Sequence, residues 1–151
     1  MQLAPGFSDY SEQDLEIMAR TIYGEARGEY ARAEGGLAAL IGVANVILNR
    51  WHMGGYGQTL AEVCTKPYQF SCWNIRDPNR RLIEQVASSD AVFGVCAEVA
   101  RYVVEGRWPD LTQGADHYHA KSMKQLPKWA VGVRPRAQLG GHVFYRLKTN
   151  A

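Results

Sequence analysis

The stretch "SEQDLEIMARTIYGEARGEY", residues 11–30, combines an amphipathic helix with two glutamates, each of which directly follows a glycine. Its apolar residues recur at helical spacing and form one stripe, which predicts a buried helix face: Leu15, Met18, Ala19, Ile22 and Ala26. Ser11 is a suitable N-cap, and Gly28 is expected to end the helix. Glu25 therefore lies on the flank of the apolar stripe, and Glu29 would fall in line with the stripe if the helix continued.

The position of Glu25 suits acid–base chemistry. A carboxylate at this point has apolar neighbours and lies near a helix C-terminus, where the helix dipole disfavours negative charge. Both effects favour the protonated form, which a general acid working near neutral pH needs. The same spacing also fits a partly exposed residue at a helix end, with Arg27 as a solvated neighbour.

The composition indicates one globular domain, residues 1–151. Hydrophobic residues make up 46% of the chain and charged residues 21%, which argues against disorder. The net charge of +2 is too small to make nucleic acid the expected partner, and no glycine-rich phosphate loop is present. No apolar run approaches the roughly 20 residues of a membrane span.

A second helix is predicted over "GGLAALIGVANVILNRW", residues 35–51, and it is apolar enough to be central. Its expected buried face comprises Leu37, Leu40, Ile41, Ala44 and Leu48. Asp77 as N-cap and Pro78 in the first helical position predict a further helix, and Ser89 or Asp90 begins another.

Two segments of the last third look like strands: "DHYHA", residues 116–120, and "HVFYRL", residues 142–147. Helices that precede a small sheet predict a mostly helical α+β domain. Within the first strand, His117 and His119 would project to one face, an arrangement found in zinc sites, with Asp116 or a cysteine as a further ligand. A polar strand face explains the pair equally well, and no HExxH or CxxC motif supports a zinc site.

The segment "YQFSCWN", residues 68–74, concentrates aromatic and amide side chains of the kind that bind sugars. Phe70 and Trp73 fit packing beneath a loop equally well. The three cysteines, Cys64, Cys72 and Cys96, are expected to be thiols, although a bridge between the first two is conceivable in an oxidising compartment. No signature segment supports Cys72 as a nucleophile.

These segments together resemble the SleB/CwlJ-type cell wall hydrolases, which include spore-cortex-lytic enzymes and phage endolysins. The resemblance covers nearly the whole chain, and its specificity comes from the order of the segments. They are "ARTIYGEARGE", "EGGLAALIGVANVILNR", "YQFSCWN", "DHYHA", "PKWA" and "LGGHVFYR".

The resemblance implies a lysozyme-like or lytic-transglycosylase-like fold and cleavage of the peptidoglycan glycan strand between N-acetylmuramic acid and N-acetylglucosamine. It assigns the catalytic acid/base to the first glutamate of "EARGE", which is Glu25. No metal and no organic cofactor is expected, and we expect a monomer.

A hydrolase usually needs a second carboxylate, for which Glu29, Glu34 and Asp116 are the candidates. A lytic transglycosylase uses one glutamate first as acid and then as base, which suits this sequence better. The alternatives are a hydrolytic muramidase, a zinc-dependent amidase or peptidase that uses His117 and His119, and a non-catalytic wall-binding module.

Several side chains are predicted to contact the glycan by hydrogen bonds or stacking: Tyr23, Gln69, Phe70, Ser71, Tyr118, His119 and Trp129. Glu34 and Arg50 also match family positions, and a salt bridge between the first two helices would explain them as well as substrate contact does.

The first residues, "MQLAPGFSDYSEQDLE", lack the basic start and apolar centre of a signal peptide. We therefore expect synthesis in the cytoplasm and action on the cell wall or in the periplasm after holin-type release through a membrane lesion, as for a phage endolysin. Spore-type members often have asparagine-proline where this chain has "HYHA", and commonly carry a secretion signal and a separate binding domain.

Overall fold

The computed structural model describes residues 9–148, in which five α-helices precede a three-stranded antiparallel sheet. The helices are α1 (Glu12–Ala26), α2 (Gly36–Met53), α3 (Leu60–Thr65), α4 (Pro78–Gln85) and α5 (Ala91–Val104). The strands are β1 (His117–Ala120), β2 (Ala137–Leu139) and β3 (His142–Tyr145), in the order β1–β3–β2. Short 3-10 turns cover Arg27–Glu29, Ser71–Trp73 and Lys128–Ala130. The predicted mostly helical α+β class is confirmed.

Helix α1 begins as predicted. The Ser11 hydroxyl accepts a hydrogen bond from Asp14 N at 3.1 Å, and the Asp14 carboxylate accepts one from Ser11 N at 2.9 Å, which is a complete capping box. All five residues of the predicted apolar stripe are buried. The helix ends at Ala26, two residues before Gly28, because the chain tightens into the 3-10 turn Arg27–Glu29.

Helix α2 lies between α1 and α5 on one side and the sheet on the other. A side chain at Gly42 would place its Cβ 2.5 Å from Phe144 Cζ, so the sheet packs directly on the helix backbone there. The prediction that Leu37 is buried is wrong: it is 43% exposed, since it lies in the first turn of α2. Val43, Val46 and Ile47 are fully buried in addition to the predicted face, because the helix is covered on two sides.

The later helices also begin where the sequence indicates. Asp77 caps α4 by accepting a hydrogen bond from Asn79 N at 2.8 Å, with Pro78 in the first helical position. Asp90, rather than Ser89, caps α5 by accepting from Phe93 N at 3.0 Å.

The register of the sheet decides which side chains face the helices. Tyr118 pairs with Phe144, and His117 pairs with Tyr145. Phe144 packs against α2, so Tyr118 shares the inner face of the sheet with it. His117 and Tyr145 lie on the outer face, because alternate residues of a strand point to opposite sides.

No helix in residues 9–148 is long and apolar enough to cross a membrane. Residues 1–8, the first part of the segment judged not to be a signal peptide, lie outside the described residues.

Candidate active site

Glu25 lies in the last turn of α1, partly buried against the 3-10 turn Ser71–Trp73. The glycine before it explains how that turn comes so close. A Cβ on Gly24 would lie 2.8 Å from both Cys72 Cβ and Ile83 Cγ2. Because Gly24 has no side chain, Cys72 N approaches Glu25 Oε2 to 3.3 Å and donates a hydrogen bond to it.

The other oxygen of the same carboxylate is held from the sheet. The Tyr118 hydroxyl donates a hydrogen bond to Glu25 Oε1, although 93 residues separate the two in sequence. Burial raises the pKa of Tyr118 well above its usual value, and the negative charge of Glu25 raises it further. Tyr118 therefore keeps its proton near neutral pH and remains a donor to Glu25.

Arg50, on α2, supplies a buried positive charge beside these groups, with only 5% of its surface exposed. Its Nε donates to the carbonyl oxygen of Asp116 at 2.8 Å, and its Nη1 donates to Gln69 Oε1 at 3.4 Å. The guanidinium also lies over the rings of Tyr56 and Phe70, 5.0 and 4.9 Å from their centroids. Gln69 and Phe70, both predicted to contact the glycan, thus lie against Arg50, and Phe70 belongs to the core.

The electrostatic environment of Arg50 includes the site itself. Burial lowers the pKa of Arg50, and the nearby acidic groups, including Tyr118 and Glu25, oppose that shift. In the described part of the chain, the salt bridge considered between Glu34 and Arg50 does not form, because Glu34 is exposed while Arg50 is buried and bonded elsewhere.

Glu29 has a different environment from Glu25. Its Oε1 accepts a hydrogen bond from Gly141 N at 2.6 Å and lies 3.4 Å from Arg32 Nε. A Cβ on Gly141 would lie 2.8 Å from the same oxygen, so only glycine fits there without displacing the carboxylate. Glu29 therefore fastens the end of α1 to the turn between β2 and β3.

Asp116 is fully buried and also has several partners. Its carboxylate accepts hydrogen bonds from Leu147 N and Lys148 N, both at 2.8 Å, and lies 3.0 Å from His117 Nδ1. Burial alone would raise the pKa of Asp116, but these hydrogen bonds outweigh it and hold the pKa below its usual value. This arrangement fastens the segment after β3, and it leaves the carboxylate inaccessible to a substrate.

The two histidines of β1 share a face, as predicted, but it is the outer face of the sheet. His119 Nε2 lies 2.8 Å from the Tyr145 hydroxyl, and its Nδ1 lies 2.9 Å from the carbonyl oxygen of Ala120. Trp129 covers both rings, with centroids 5.0 Å from His117 and 5.8 Å from His119. The rings of His119 and Trp129 therefore contact each other on the outer face of the sheet, whereas Tyr118 lies on the inner face.

This packing also bears on the zinc interpretation. Both ring nitrogens of His119 are engaged, and the nearest carboxylate to His117 is the one that binds the backbone after β3. Within residues 9–148, no group of three or more histidine, cysteine, aspartate or glutamate side chains is placed to hold a metal ion.

The remaining predicted contacts divide between core and surface. Tyr23 is buried, with its ring edge-on to Phe93 at 5.9 Å, and it borders a groove that includes Leu82 and Asp90 and does not include Glu25. Ser71 is exposed at the start of the 3-10 turn that contacts Glu25. Trp73 is partly buried, and its Nε1 donates to Thr21 Oγ1 at 2.8 Å, which anchors the turn to α1.

All three cysteines are buried free thiols. Burial raises the pKa of Cys64 and of Cys96 to about 12. Burial also raises the pKa of Cys72, and the adjacent charge of Glu25 adds to the shift. None of the three is therefore activated as a thiolate nucleophile.

His142 belongs to the site but was not singled out in the sequence. It is 7% exposed, lies on the inner face of the sheet, and packs edge-on against Tyr118 with ring centroids 5.1 Å apart. Burial lowers its pKa, against the opposing charges of Glu29 and Glu25, and its buried Nδ1 has no hydrogen-bond partner in the described chain. The alternation in "HVFY" was the available signal, since it places His142 on the face of Phe144.

An open cleft of about 350 Å³ adjoins this inner face near Glu29. Its lining combines one carboxylate with two cations and a hydroxyl: Glu29, Arg32, Ala120, Lys121, Ser122 and Gly141. The cleft is large enough for a sugar residue and rich in hydrogen-bonding groups.

The described residues form a mostly helical α+β domain in which Glu25 is held between the first helix and a small sheet. A family model described as Cell Wall Hydrolase matches residues 35–145, and the chain belongs to this cell wall hydrolase family. The matched segment begins after Glu25, so the position of Glu25 in the site rests on the geometry given above.

Two curated relatives are spore cortex-lytic enzymes. The one from Oceanobacillus iheyensis is 37% identical over 91 residues, which are 56% of this chain and 29% of that protein. The one from Bacillus cereus is 27% identical over 136 residues, which are 89% of this chain and 45% of that protein. The chain thus spans less than half the length of these relatives.

Two solved structures share the fold. The catalytic domain of the Bacillus cereus SleB protein superposes with a TM-score of 0.72 at 22% identity, covering 97% of this chain and 100% of that one. The catalytic domain of the germination-specific lytic transglycosylase SleB from Bacillus anthracis gives 0.68 at 24% identity, covering 92% and 98%.

Proposed function

We propose that this chain cleaves the glycan strand of peptidoglycan between N-acetylmuramic acid and N-acetylglucosamine, as a lytic transglycosylase with Glu25 as its one catalytic carboxylate. The site of action in this proposal is the cell wall. Membership of the cell wall hydrolase family supports the substrate, and the surroundings of Glu25 support the chemistry.

The observation that carries the proposal is the way Glu25 is held. Its two oxygens accept hydrogen bonds from two separate elements, Tyr118 on β1 and the backbone of Cys72 in the 3-10 turn. Two donors from separate elements fix the rotamer of the carboxylate and are placed to compensate the negative charge that develops on it during proton transfer.

The other candidate carboxylates support a mechanism with a single glutamate. Asp116 is fully buried and bonded to backbone N–H groups, and Glu34 is exposed. Glu29 is bonded to Gly141 and paired with Arg32. None of these three is free to assist at the anomeric carbon without first breaking its contacts or moving toward the site.

In the first step, the protonated Glu25 donates its proton to the glycosidic oxygen, and the bond between that oxygen and the anomeric carbon breaks. Positive charge develops on the anomeric carbon of N-acetylmuramic acid, and the glycosidic oxygen stays with the N-acetylglucosamine fragment. The oxygen that leaves becomes a hydroxyl group, and Glu25 becomes a carboxylate held by Tyr118 and Cys72 N.

In the second step, the Glu25 carboxylate accepts the proton of the 6-hydroxyl group of the same muramic acid residue. The 6-oxygen forms a bond with the anomeric carbon and closes a 1,6-anhydro ring. Glu25 is protonated again, and no water is consumed.

Hydrolysis is the second candidate, and one observation favours it. Glu29 accepts a hydrogen bond from Gly141, the residue before His142, and the His142 ring packs against Tyr118, which donates to Glu25, so both glutamates border the same part of the sheet. If Glu29 gave up its bond to Gly141, it could direct a water molecule to the anomeric carbon.

The products distinguish the two reactions. Purified peptidoglycan is digested with the protein, and the released muropeptides are analysed by mass spectrometry. We expect ends with 1,6-anhydro-muramic acid, lighter by one water than the hydrolytic product. Reducing ends throughout the digest would identify a hydrolase and direct attention to Glu29.

Two further arms of the digest test the other classes of activity. Loss of lysis with a metal chelator and its return with zinc would identify a metal-dependent amidase or peptidase. Binding to walls without release of any fragment would identify a binding module.

A further inference from the structure

A second groove lies beside the turn that contacts Glu25, and the proposed reaction does not use it. Its volume is about 470 Å³, and no acidic residue lines it. We call it the arginine groove, and it is lined by Thr65, Pro67, Tyr68, Trp73, Asn74, Ile75, Arg76 and Arg80.

The arginine groove exposes two large apolar side chains. Tyr68 is 88% exposed and Ile75 is 86% exposed, the highest values among the exposed large hydrophobic residues of the described chain. Tyr68 also has a φ of +67°, a left-handed conformation that is sterically unfavourable for a bulky residue. Strained conformations of this kind are concentrated at sites that bind ligands.

The two arginines of the groove have different contacts. Arg80 donates to the carbonyl oxygen of Trp73 at 2.7 Å and lies 3.7 Å from Glu84, so it is partly neutralised. Arg76 is exposed, and within residues 9–148 no hydrogen bond or ion pair engages its guanidinium. A free guanidinium beside exposed apolar surface is complementary to a ligand that combines a carboxylate with apolar atoms.

The position of the groove relative to Glu25 suggests what that ligand is. Trp73 lines the groove, and its neighbour Cys72 donates to Glu25, so the same short turn borders both places. A glycan strand that lies at Glu25 would carry its substituents past this turn. In peptidoglycan, those substituents are short peptides with several free carboxylates.

We propose that the arginine groove binds the peptide that muramic acid carries, with Arg76 receiving a carboxylate and Tyr68 and Ile75 contacting apolar atoms of the peptide. The identification of this peptide as the ligand of the groove rests on the proposed function. The charge of Arg76, the exposed surface of Tyr68 and Ile75, and the shared turn support it.

The test compares strands that carry their peptides with strands in which an amidase has replaced each peptide by the free lactyl carboxylate of muramic acid. Soluble glycan strands that carry their peptides, and the same strands stripped of peptides by an amidase, are cleaved by wild type, Arg76→Gln and Arg81→Gln. Arg81 is a matched control, because it is an exposed arginine of α4 that does not line the groove. We expect Arg76→Gln to lower kcat/KM on peptide-bearing strands by about five- to tenfold, the effect of one partly exposed charge-assisted hydrogen bond.

On stripped strands, Arg76→Gln is expected to match wild type, and Arg81→Gln is expected to match it on both substrates. An equal loss on both substrates, or an equal effect of Arg81→Gln, would overturn the proposal. Cleavage of neither substrate by wild type would instead contradict the proposed function. In that case, titration of the isolated peptide against wild type and Arg76→Gln still decides whether the groove binds it.

A second variant separates ligand binding from stability. Glycine adopts a positive φ without strain, so Tyr68→Gly is expected to raise the thermal unfolding midpoint while weakening binding of the isolated peptide. A variant that is more stable and binds the peptide as well as wild type would show that Tyr68 has no part in a peptide site. Binding of anionic vesicles or of a second copy of the chain, with no peptide binding, would also overturn the proposal.

Discussion

Replacing Tyr118 with phenylalanine tests the link between the sheet and Glu25. The substitution removes one hydroxyl group, the donor to Glu25 Oε1, and keeps the ring that packs against His142 and Phe144 at 5.1 and 5.5 Å. The packing of the inner face should therefore survive. What changes is the stabilisation of the carboxylate that forms when Glu25 releases its proton.

The size of the effect follows from the kind of bond lost. A hydrogen bond to a charged group contributes about 1.5–3 kcal/mol. At about 1.4 kcal/mol for each factor of ten, its loss should lower kcat by roughly 10- to 150-fold. Glu25 keeps its second donor, Cys72 N, so a complete loss of activity is not expected.

Tyr145→Phe is the matched control. It removes the same atom from the same sheet, but the Tyr145 hydroxyl lies 2.8 Å from His119 Nε2 on the outer face. We expect Tyr145→Phe to reduce stability and to leave kcat within about twofold of wild type, since buried hydrogen bonds contribute about 1 kcal/mol. The assay is the initial rate of muropeptide release from one peptidoglycan preparation, with circular dichroism and thermal unfolding for both variants. Full activity in a folded Tyr118→Phe protein, or an equal loss in Tyr145→Phe, would refute the role given to Tyr118.

Three further predictions concern the same region. Glu25→Gln should lower the rate by about 10²–10⁴-fold or more without unfolding, because Glu25 acts in both steps of the proposed mechanism, whereas Glu29→Gln should keep most of the activity. Rates and circular dichroism of both variants test this, and a folded Glu25→Gln protein with a tenth of wild-type activity would exclude Glu25 as the catalytic residue. Gly24→Ala should lower the free energy of unfolding by about 1–3 kcal/mol and reduce activity, because the new Cβ would lie 2.8 Å from Cys72 Cβ. An unchanged thermal unfolding midpoint and an unchanged rate would contradict this prediction. Asp116 has a lowered pKa in the folded state, so its contribution to stability is present above the ordinary pKa near 4 and is lost as pH falls below it. Asp116→Asn should therefore lower the free energy of unfolding by about 1–3 kcal/mol at neutral pH. Between about pH 6 and pH 3, this free energy should change less in the variant than in wild type, and parallel plots of it against pH for the two proteins would count against the prediction.

Much of the fold could be predicted, because its signals are local. The cap at Ser11, the apolar stripe of α1 and the start of α4 at Asp77 and Pro78 each depend on residues within one or two helical turns. Strand β2 has only three residues and follows "VRPR", so it lacks the alternation that would identify it. The exposure of Leu37 could not be predicted from its spacing, because it depends on which neighbours cover the first turn of α2.

The site was harder to predict, because it depends on contacts between distant segments. The helix pattern and the family resemblance both indicate Glu25, but the residues that hold it come from the turn near Cys72 and from β1. Tyr118 and His119 are both predicted to contact the glycan, but the alternation of the strand places their side chains on opposite faces of the sheet. The alternation of "HVFY" places His142 on the face of Phe144, but its position beside Tyr118 depends on the register between β1 and β3, which the sequence does not give.

The two glycine–glutamate pairs of the opening stretch look alike in sequence and differ in their physical causes. A Cβ on Gly24 would collide with the turn that donates to Glu25, whereas a Cβ on Gly28 would meet nothing within 4 Å. Gly24 therefore permits a close approach that places a donor on Glu25, and the glycine before Glu29 has no such packing reason. Glu29 instead depends on a glycine in the turn between β2 and β3, since a Cβ on Gly141 would lie 2.8 Å from Glu29 Oε1. The same local pattern thus gives one partly buried glutamate that is held by two donors, and one that fastens α1 to the sheet.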